Sequence, residues 1–482
     1  MARAQILAGL LRDDPQWQSF YAVNGFFIPY AAMDVALVAL QAAGLSIDGA
    51  GRIFLILTFV AYVGGAALLA RAFGAADWSK PLLAALLFYN GPLAGGFVNY
   101  AAGAGLGMAV IALWIRARPR PSARLAVALL GTAFVFFFHL IAVFLTVISI
   151  GLLELTELWQ ARSVRPAVLL RHGTSVCALL LLVAMLAVSP SSNEASGHGI
   201  SYAGGPGLAG ILKYKLGMPV HALLDGSGIA GAVVVVLGLL ALAGVAWWGG
   251  MRVGMPPGAR VLVLGLGVLG VALPDGVGAG FGLDYRTIPF TATVLVCALR
   301  LDGRGGGMGR AWAVVLMLTV LVRSVLLAHQ YYAANDIFRR FEAAARRLPA
   351  DSALLTALGA PRTMIPWDVF WNPPTEYLGA RAIANGTFVG TVFAIRSQHP
   401  VAVDPRFAEW RLILDVSTPP ALAATKAFLA PACALWRQTG HAGPVYLLVV
   451  YPRPGPPPAP LLGPAAIDDP AFQLTDGCAL LP

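Results

Sequence analysis

Charge is what this sequence has least of. Only 12% of its 482 residues are Asp, Glu, Lys or Arg, against about 25% in an ordinary soluble domain. Hydrophobic residues make up 58%, and mean hydropathy is +0.75. A chain with so little charge is built for lipid as its main solvent. Lysine is nearly absent, confined to Lys80, Lys213, Lys215 and Lys426. The formal net charge of +10 is therefore carried by arginine. Its arginines lie between apolar stretches, not in a basic run interleaved with aromatics, so no nucleic-acid partner is expected. Cysteine is scarce as well. Cys177 and Cys297 sit inside apolar stretches and read as small core residues. Cys433 and Cys478 lie near the C-terminus and read either as a disulfide or as two free thiols. No CxxC or Cys/His metal spacing occurs, and HExxH and GxSxG are missing. The lack of a GxxxxGK[ST] phosphate loop excludes a P-loop ATPase. No repeat of fixed period is visible.

Apolar stretches fill the space that charge leaves empty. Candidate membrane spans are about 52–70, 81–98, 99–115, 125–139, 140–157, 168–189, 228–249, 259–274, 285–300 and 311–329. Several fall short of the roughly 20 residues that a straight span needs. The stretches 81–115 and 125–157 each run between two arginine loops, so each is expected to turn back as a hairpin or lie partly re-entrant. Asn90, Gly91 and Pro92, then Gly95 and Gly96, supply the break in the first, and His139 marks the middle of the second.

Arginine orients the spans. The clusters are Arg116, Arg118, Arg120 and Arg124; Arg162, Arg165 and Arg171; Arg252 and Arg260; and Arg300, Arg304 and Arg310. Short loops rich in Lys and Arg stay on the cytoplasmic side. The polar, glycine-rich loop 190–227 then faces the periplasm. So does everything after the span 311–329. Residues 1–25 contain Arg3, Arg12, Asp13 and Asp14 and do not read as a signal peptide. The stretch near 30–43, with Asp34 in it and Gly25 and Pro29 before it, reads as an interfacial helix.

The fold class is therefore an all-α polytopic transmembrane bundle, residues 1–329, followed by a small periplasmic α/β domain, 330–482. Within that domain Ser352–Leu358, Phe388–Ile395, Arg411–Val416 and Val445–Tyr451 read as strands. Pro452–Pro460 reads as a stiff linker or extended arm.

Ionisable groups near the outer membrane face are the place to look for chemistry, since polar groups at membrane depth are expensive. The loop PDGVGAGFGLDYR, 274–286, offers Asp275, Asp284, Tyr285 and Arg286 beside a glycine-rich turn. An arginine fork suits a lipid phosphate, and a carboxylate suits a base or a metal ligand. The plainer alternative is that Asp284 caps the next helix and pairs with Arg286. Asp34 is a second candidate base, with an ion pair to an arginine as its alternative. His198, with Glu194, His221 and Asp225, is placed to line a substrate cleft in the loop 190–227. His139 reads as a hydrogen-bonding helix contact, and Glu154 and Glu157 as an ion-pair cluster near Arg162 and Arg165. The cofactor stays open: a divalent metal is compatible with the carboxylates, but no ligand spacing points to one.

Many helices, broken hairpins, polar outer loops and a C-terminal α/β domain resemble bacterial GT-C-type membrane proteins. That superfamily includes protein O-mannosyltransferase-like and lipid A sugar-transferring enzymes. The stretches that carry the resemblance are IPYAAMDVALVAL (28–40), LLFYNGPLAGGFVNYAAGAGLGMAVIALWIR (86–116), FFFHLIAV (136–143), LDYRTIPF (283–290) and NGTFVGTVFAI (385–395). The resemblance implies transfer of a sugar from a polyprenyl-phosphate donor at the outer face of the bacterial inner membrane. It also implies a catalytic Asp in the first outer loop, after a first helix. Here MARAQILAGLL reads as text that would follow such a helix, so a shortened N-terminus is expected. Asp13, Asp14 and Asp34 lie further along and do not inherit that role.

Three functions remain: a GT-C-like glycosyltransferase, a transporter or flippase, and a non-catalytic assembly protein for envelope polysaccharide. A transporter needs charge at mid-depth and paired broken helices from a repeat, and the sequence offers little of either. The orientation is checked with reporter fusions. A periplasm-active reporter fused after Pro482 is expected to be active, and one fused in the loops 116–124 or 250–260 inactive. The reverse pattern would overturn the topology.

Overall fold

Lipid offers the backbone no hydrogen-bond partner, so apolar stretches that enter it must fold as helices. The computed structural model of the protein follows that rule. It describes residues 1–75, 77–162, 173–193, 199–203, 207–224, 228–277, 282–302, 306–359, 374–389, 392, 398–410, 421–451 and 467–481. Among the described residues, the α-helices of eight or more residues begin with α1 (Ala2–Leu10), α2 (Ala31–Ala42), α3 (Ile47–Ala72), α4 (Ser79–Phe88), α5 (Val98–Arg116), α6 (Pro121–Phe136) and α7 (Leu140–Ala161). They continue as α8 (Thr174–Val188), α9 (Leu208–Leu224), α10 (Gly228–Trp248), α11 (Pro257–Ala272), α12 (Leu283–Ala298), α13 (Gly306–Ala345) and α14 (Leu422–Gln438). Among the described residues, α3, α5, α7, α10 and α13 are each long and apolar enough to cross a membrane. The apolar helices α2, α4, α6, α8 and α11 are shorter. The protein is a multi-pass helical bundle with a small α/β domain.

Contacts divide the chain into two units. The helical unit holds Phe27–Met33 and Arg52–Ala328. The sheet unit holds Met1–Phe26, Asp34–Gly51 and His329–Pro482. The sequence placed one boundary at 329/330. The structure divides at Ala328/His329 and adds two N-terminal segments to the sheet unit. The reason is burial: Ile6, Leu7, Trp17, Phe20 and Tyr21 join the core of that unit.

Within the helical unit, charges that leave water meet helix ends. Arg323 of α13 is buried and donates to the carbonyls of Leu86 and Tyr89 at the C-terminus of α4. Buried Lys80 donates to Leu299 O at the end of α12, 2.5 Å away. Arg300 reaches Phe73 O, just past α3, at 2.6 Å. Glu154 of α7 does the converse, accepting the backbone N–H groups of Thr174 and Ser175 at the start of α8 at 3.0 and 3.1 Å. Glu157 accepts on both oxygens from one nitrogen, Nη2, of buried Arg124 at 2.9 and 2.8 Å, and pairs with Arg118 Nε at 2.7 Å. Arg124 lies flat on Trp114, 3.5 Å from the ring centre. Arg162 leaves α7 in the left-handed region, and Arg165 and Arg171 lie outside the described residues.

The sheet unit is built on five strands in the order β10 (Ile467–Asp469), β11 (Phe472–Asp476), β9 (Val445–Val450), β6 (Ala353–Leu358), β7 (Phe388–Val389). The central pair β6 and β9 is parallel, with Leu354 opposite Tyr446. Every residue of β6 is buried, as a parallel strand covered on both faces requires. The other expected strand, 411–416, and most of 390–395 lie outside the described residues. A second pair joins β1 (Tyr21–Val23) antiparallel to β8 (Val401–Val403). Cys433 of α14 and Cys478 beyond β11 form a disulfide.

The stretch 190–227, read from its composition as a polar, glycine-rich loop, contains α9. Pro219 inside it and the polar residues around it hid the helix.

Asp351 ties the sheet unit to the turn after α14. His441 Nδ1 donates to it at 2.7 Å, and the N–H groups of Ala442 and Gly443 donate at 3.2 Å. Burial pushes the Asp351 carboxyl up, but these hydrogen bonds outweigh burial and hold it below the ordinary carboxylate value. A depressed carboxylate adds stability above its unfolded pKa of about 3.9, and that stability disappears as pH falls through the lower folded value. Asp351→Ala is therefore expected to lower the melting temperature at pH 7, with the gap to wild type closing in melts below about pH 4. A gap that does not change with pH would remove the electrostatic account.

Candidate functional site

Of the residues singled out from the sequence, Asp275, Asp284, Tyr285 and Arg286 stand around the start of α12. His198, Glu194 and Asp225 lie outside the described residues. Gly282 precedes α12 with φ +65°, a left-handed conformation that glycine adopts without strain. Asp284 follows in the first helical turn, fully buried, where a negative charge meets the positive end of the helix. Lys215 of α9, 5% exposed, donates to Asp284 and to Leu273 O, the latter at 2.5 Å. One ammonium thus joins the end of α11 to the start of α12. The expected pair of Asp284 with Arg286 does not form, because residues two apart on a helix do not face each other.

Asp275 sits in the connection between α11 and α12. Its carboxylate accepts from Tyr214 Oη at 3.4 Å, and its carbonyl accepts the Leu283 N–H at 3.0 Å. Burial, then the nearby Asp284 charge, raises the Asp275 carboxyl above the ordinary value, against the opposing hydrogen bond from Tyr214. The connection is fastened further along, where β4 (Gly276–Val277) pairs with β2 (Ile200–Ser201).

Arg286 points to the other side of α12. Its guanidinium stacks on Phe97, 3.7 Å from the ring centre, and its Nη1 lies 3.5 Å from His139 Nε2. Tyr100 Oη donates to the Arg286 carbonyl. His139 caps α7: its Nδ1 accepts the Ile141 N–H at 3.1 Å. A neutral imidazole that accepts on Nδ1 carries its proton on Nε2. Two donor groups, the Nε2–H and the guanidinium, therefore face each other. Tyr30 meets the His139 ring edge-on at 4.5 Å and has φ +80°, a strained value for a bulky residue. Asn99 Nδ2 holds the Tyr30 carbonyl at 3.0 Å, while buried Asn99 Oδ1 has no donor among the described residues. Tyr285 is packed so closely on Gly91 that a Cβ there would come within 1.7 Å of the phenol oxygen.

Asp34 belongs to the sheet unit. It is fully buried and paired with Arg3 at 3.1 Å through Oδ2, and its Oδ1 has no partner among the described residues. Lys215, Asn99, Tyr30 and Phe97 were missed as site residues in the sequence. Lys215 carried a signal, as one of very few lysines in a chain that otherwise uses arginine. Among the described residues, no three His, Cys, Asp or Glu side chains are grouped as metal ligands.

No protein-family model matches the chain, and no curated protein sequence matches it. Among solved structures, ArnT from Cupriavidus metallidurans bound to undecaprenyl phosphate is similar over 95% of this chain and 89% of its own. The identity is 12% and the TM-score 0.46, too low to bear on the site.

Removing one partner of a buried ion pair strands the other charge and costs about 3 kcal/mol or more. Lys215→Met is expected to destabilise the protein by about that amount, with Lys215→Met/Asp284→Asn recovering most of the loss. Unfolding in detergent measures both. A double variant no more stable than the single one would show that the pair is not coupled.

Proposed function

We propose that the protein is a GT-C-like membrane glycosyltransferase that takes a sugar from a polyprenyl-phosphate carrier at the periplasmic face of a bacterial inner membrane. The observation that carries this reading is the buried guanidinium of Arg286, stacked on Phe97 and 3.5 Å from His139 Nε2. A lipid phosphate suits that setting: its oxygens accept from a guanidinium, and its charge offsets the buried cation. Asn99 Oδ1 is an acceptor suited to a sugar hydroxyl. In the transfer, an acceptor hydroxyl attacks the anomeric carbon. The bond from that carbon to the carrier phosphate oxygen breaks, and the phosphate leaves with the electron pair.

The hydroxyl proton needs a base. Asp275 suits that task, since its raised carboxyl is closer to neutral pH than an ordinary one. Asp284, held by Lys215, positions the loop that carries it. Asp34, paired with Arg3, is proposed to act on the stability of the sheet unit. The disulfide between Cys433 and Cys478 supports an oxidising, extracytoplasmic compartment for the sheet unit. The arginine loops on the helical unit support the opposite side for themselves.

Binding of undecaprenyl phosphate to the protein in detergent tests the reading. Arg286→Ala is expected to weaken binding by about tenfold or more, and Arg286→Lys to recover only part, because a point charge cannot replace a fork. Equal binding by all three proteins would remove Arg286 from the phosphate site. Binding that follows this pattern without sugar transfer by any form of the protein would favour the transporter or assembly reading.

A further inference from the structure

The helices α5, α7 and α12, whose starts build the Arg286 layer, line a partly open cavity at their other ends, together with the start of α11. Its volume is about 340 Å3, room for roughly ten water molecules. Its walls include Arg118 after α5, Glu157 and Gln160 of α7, Gly258 and Ala259 of α11, and Arg300 after α12. The α12 helix of 16 residues separates the two ends by about 24 Å.

The charge here is unbalanced. Arg118, Arg124 and Arg300 stand against Glu157, whose two oxygens are held by the first two arginines. The nearby Glu154 spends both oxygens on the first turn of α8. Arg300 anchors one nitrogen on Phe73 O and keeps its cation at the wall. The N-terminus of α11 adds donors. Pro256 is its N-cap and gives no side-chain cap, and Pro257 has no N–H. The first N–H groups of the helix therefore belong to Gly258 and Ala259, both on the cavity wall, and have no acceptor inside the helix. Guanidinium groups from two separate segments and an uncapped helix start thus face one cavity.

We propose that this cavity binds a phosphate-bearing anion on the arginine-rich side of the protein, with Arg118, Arg300 and the α11 N-terminus as donors. A phosphate is matched by guanidinium forks and by helix-start N–H groups together. The source is either the head group of an anionic phospholipid or a free phosphate. The site is independent of the Arg286 layer and of the function proposed for it.

Gly258→Asp tests this without removing any partner. A Cβ at Gly258 meets only Leu153 Cδ2 at 3.6 Å and Thr156 Cγ2 at 4.0 Å, ordinary contacts. The new carboxylate would sit at the start of α11, favour the helix dipole and fill the site with a charge of the ligand's own sign. The probes are dioleoylphosphatidylglycerol, dioleoylphosphatidylcholine and inorganic phosphate, added to the full protein in neutral detergent. Melting and native mass spectrometry read the binding. Wild type is expected to be stabilised by phosphatidylglycerol over phosphatidylcholine, or by inorganic phosphate. Gly258→Asp is expected to melt no lower than wild type without ligand and to bind the anion about tenfold more weakly. A response to phosphatidylglycerol alone assigns a lipid, and a response to inorganic phosphate assigns a free anion. No response to either anion in wild type, or an undiminished response in Gly258→Asp, overturns the proposal.

Discussion

A charge taken out of water inside a helical bundle costs several kcal/mol unless fixed dipoles and counter-charges replace its hydration. The helical unit meets that demand at helix termini. Cations go to carbonyl ends: Lys80 to the end of α12, Lys215 to the end of α11, Arg300 to the end of α3 and Arg323 to the end of α4. Anions go to amide ends: Glu154 to the start of α8 and Asp284 to the start of α12. The signs follow the helix macrodipole at each of these positions. Terminal carbonyls and N–H groups that lipid would leave unsatisfied are the same groups that make buried charge tolerable.

The candidate site grows from that constraint. Short or broken helices bring termini into the interior, and termini are where polar side chains can be held. The α4–α5 break puts Phe97, Asn99 and Tyr100 beside the start of α7, where His139 is the cap, and beside the first turn of α12, where Arg286 sits.

The helices were legible in the sequence because lipid permits few alternatives. A run such as 228–249 has no other way to satisfy its backbone, and it forms α10 (Gly228–Trp248). Strands β6 and β9 were legible for a related reason, as short β-branched or leucine-rich runs closed by turn residues. The helix α9 was hidden because its polar residues and Pro219 follow no single face. The place of residues 1–26 in the sheet unit was hidden too, since it depends on pairing between Tyr21 and Val403, far apart along the chain. Asp284 and Arg286 were found as a pair by proximity in sequence. Their true partners are Lys215 on α9 and Phe97 just before α5, and no local pattern announces them.

The cation pins also bear on how the chain is made. Lys80, Arg300 and Arg323 each bond a residue more than 200 positions away, at separations of 219, 227 and 237. At roughly 5–20 residues per second of synthesis, the early partner waits on the order of ten to forty seconds for the late one. During that interval Lys80 and the carbonyl ends of α3 and α4 lack the bonds that satisfy them in the finished bundle. The nascent protein must therefore keep these ends near water, or beside an insertion factor, until α12 and α13 arrive. Helices made late, α12 and α13, thus supply the bonds that let α3 and α4, made early, settle.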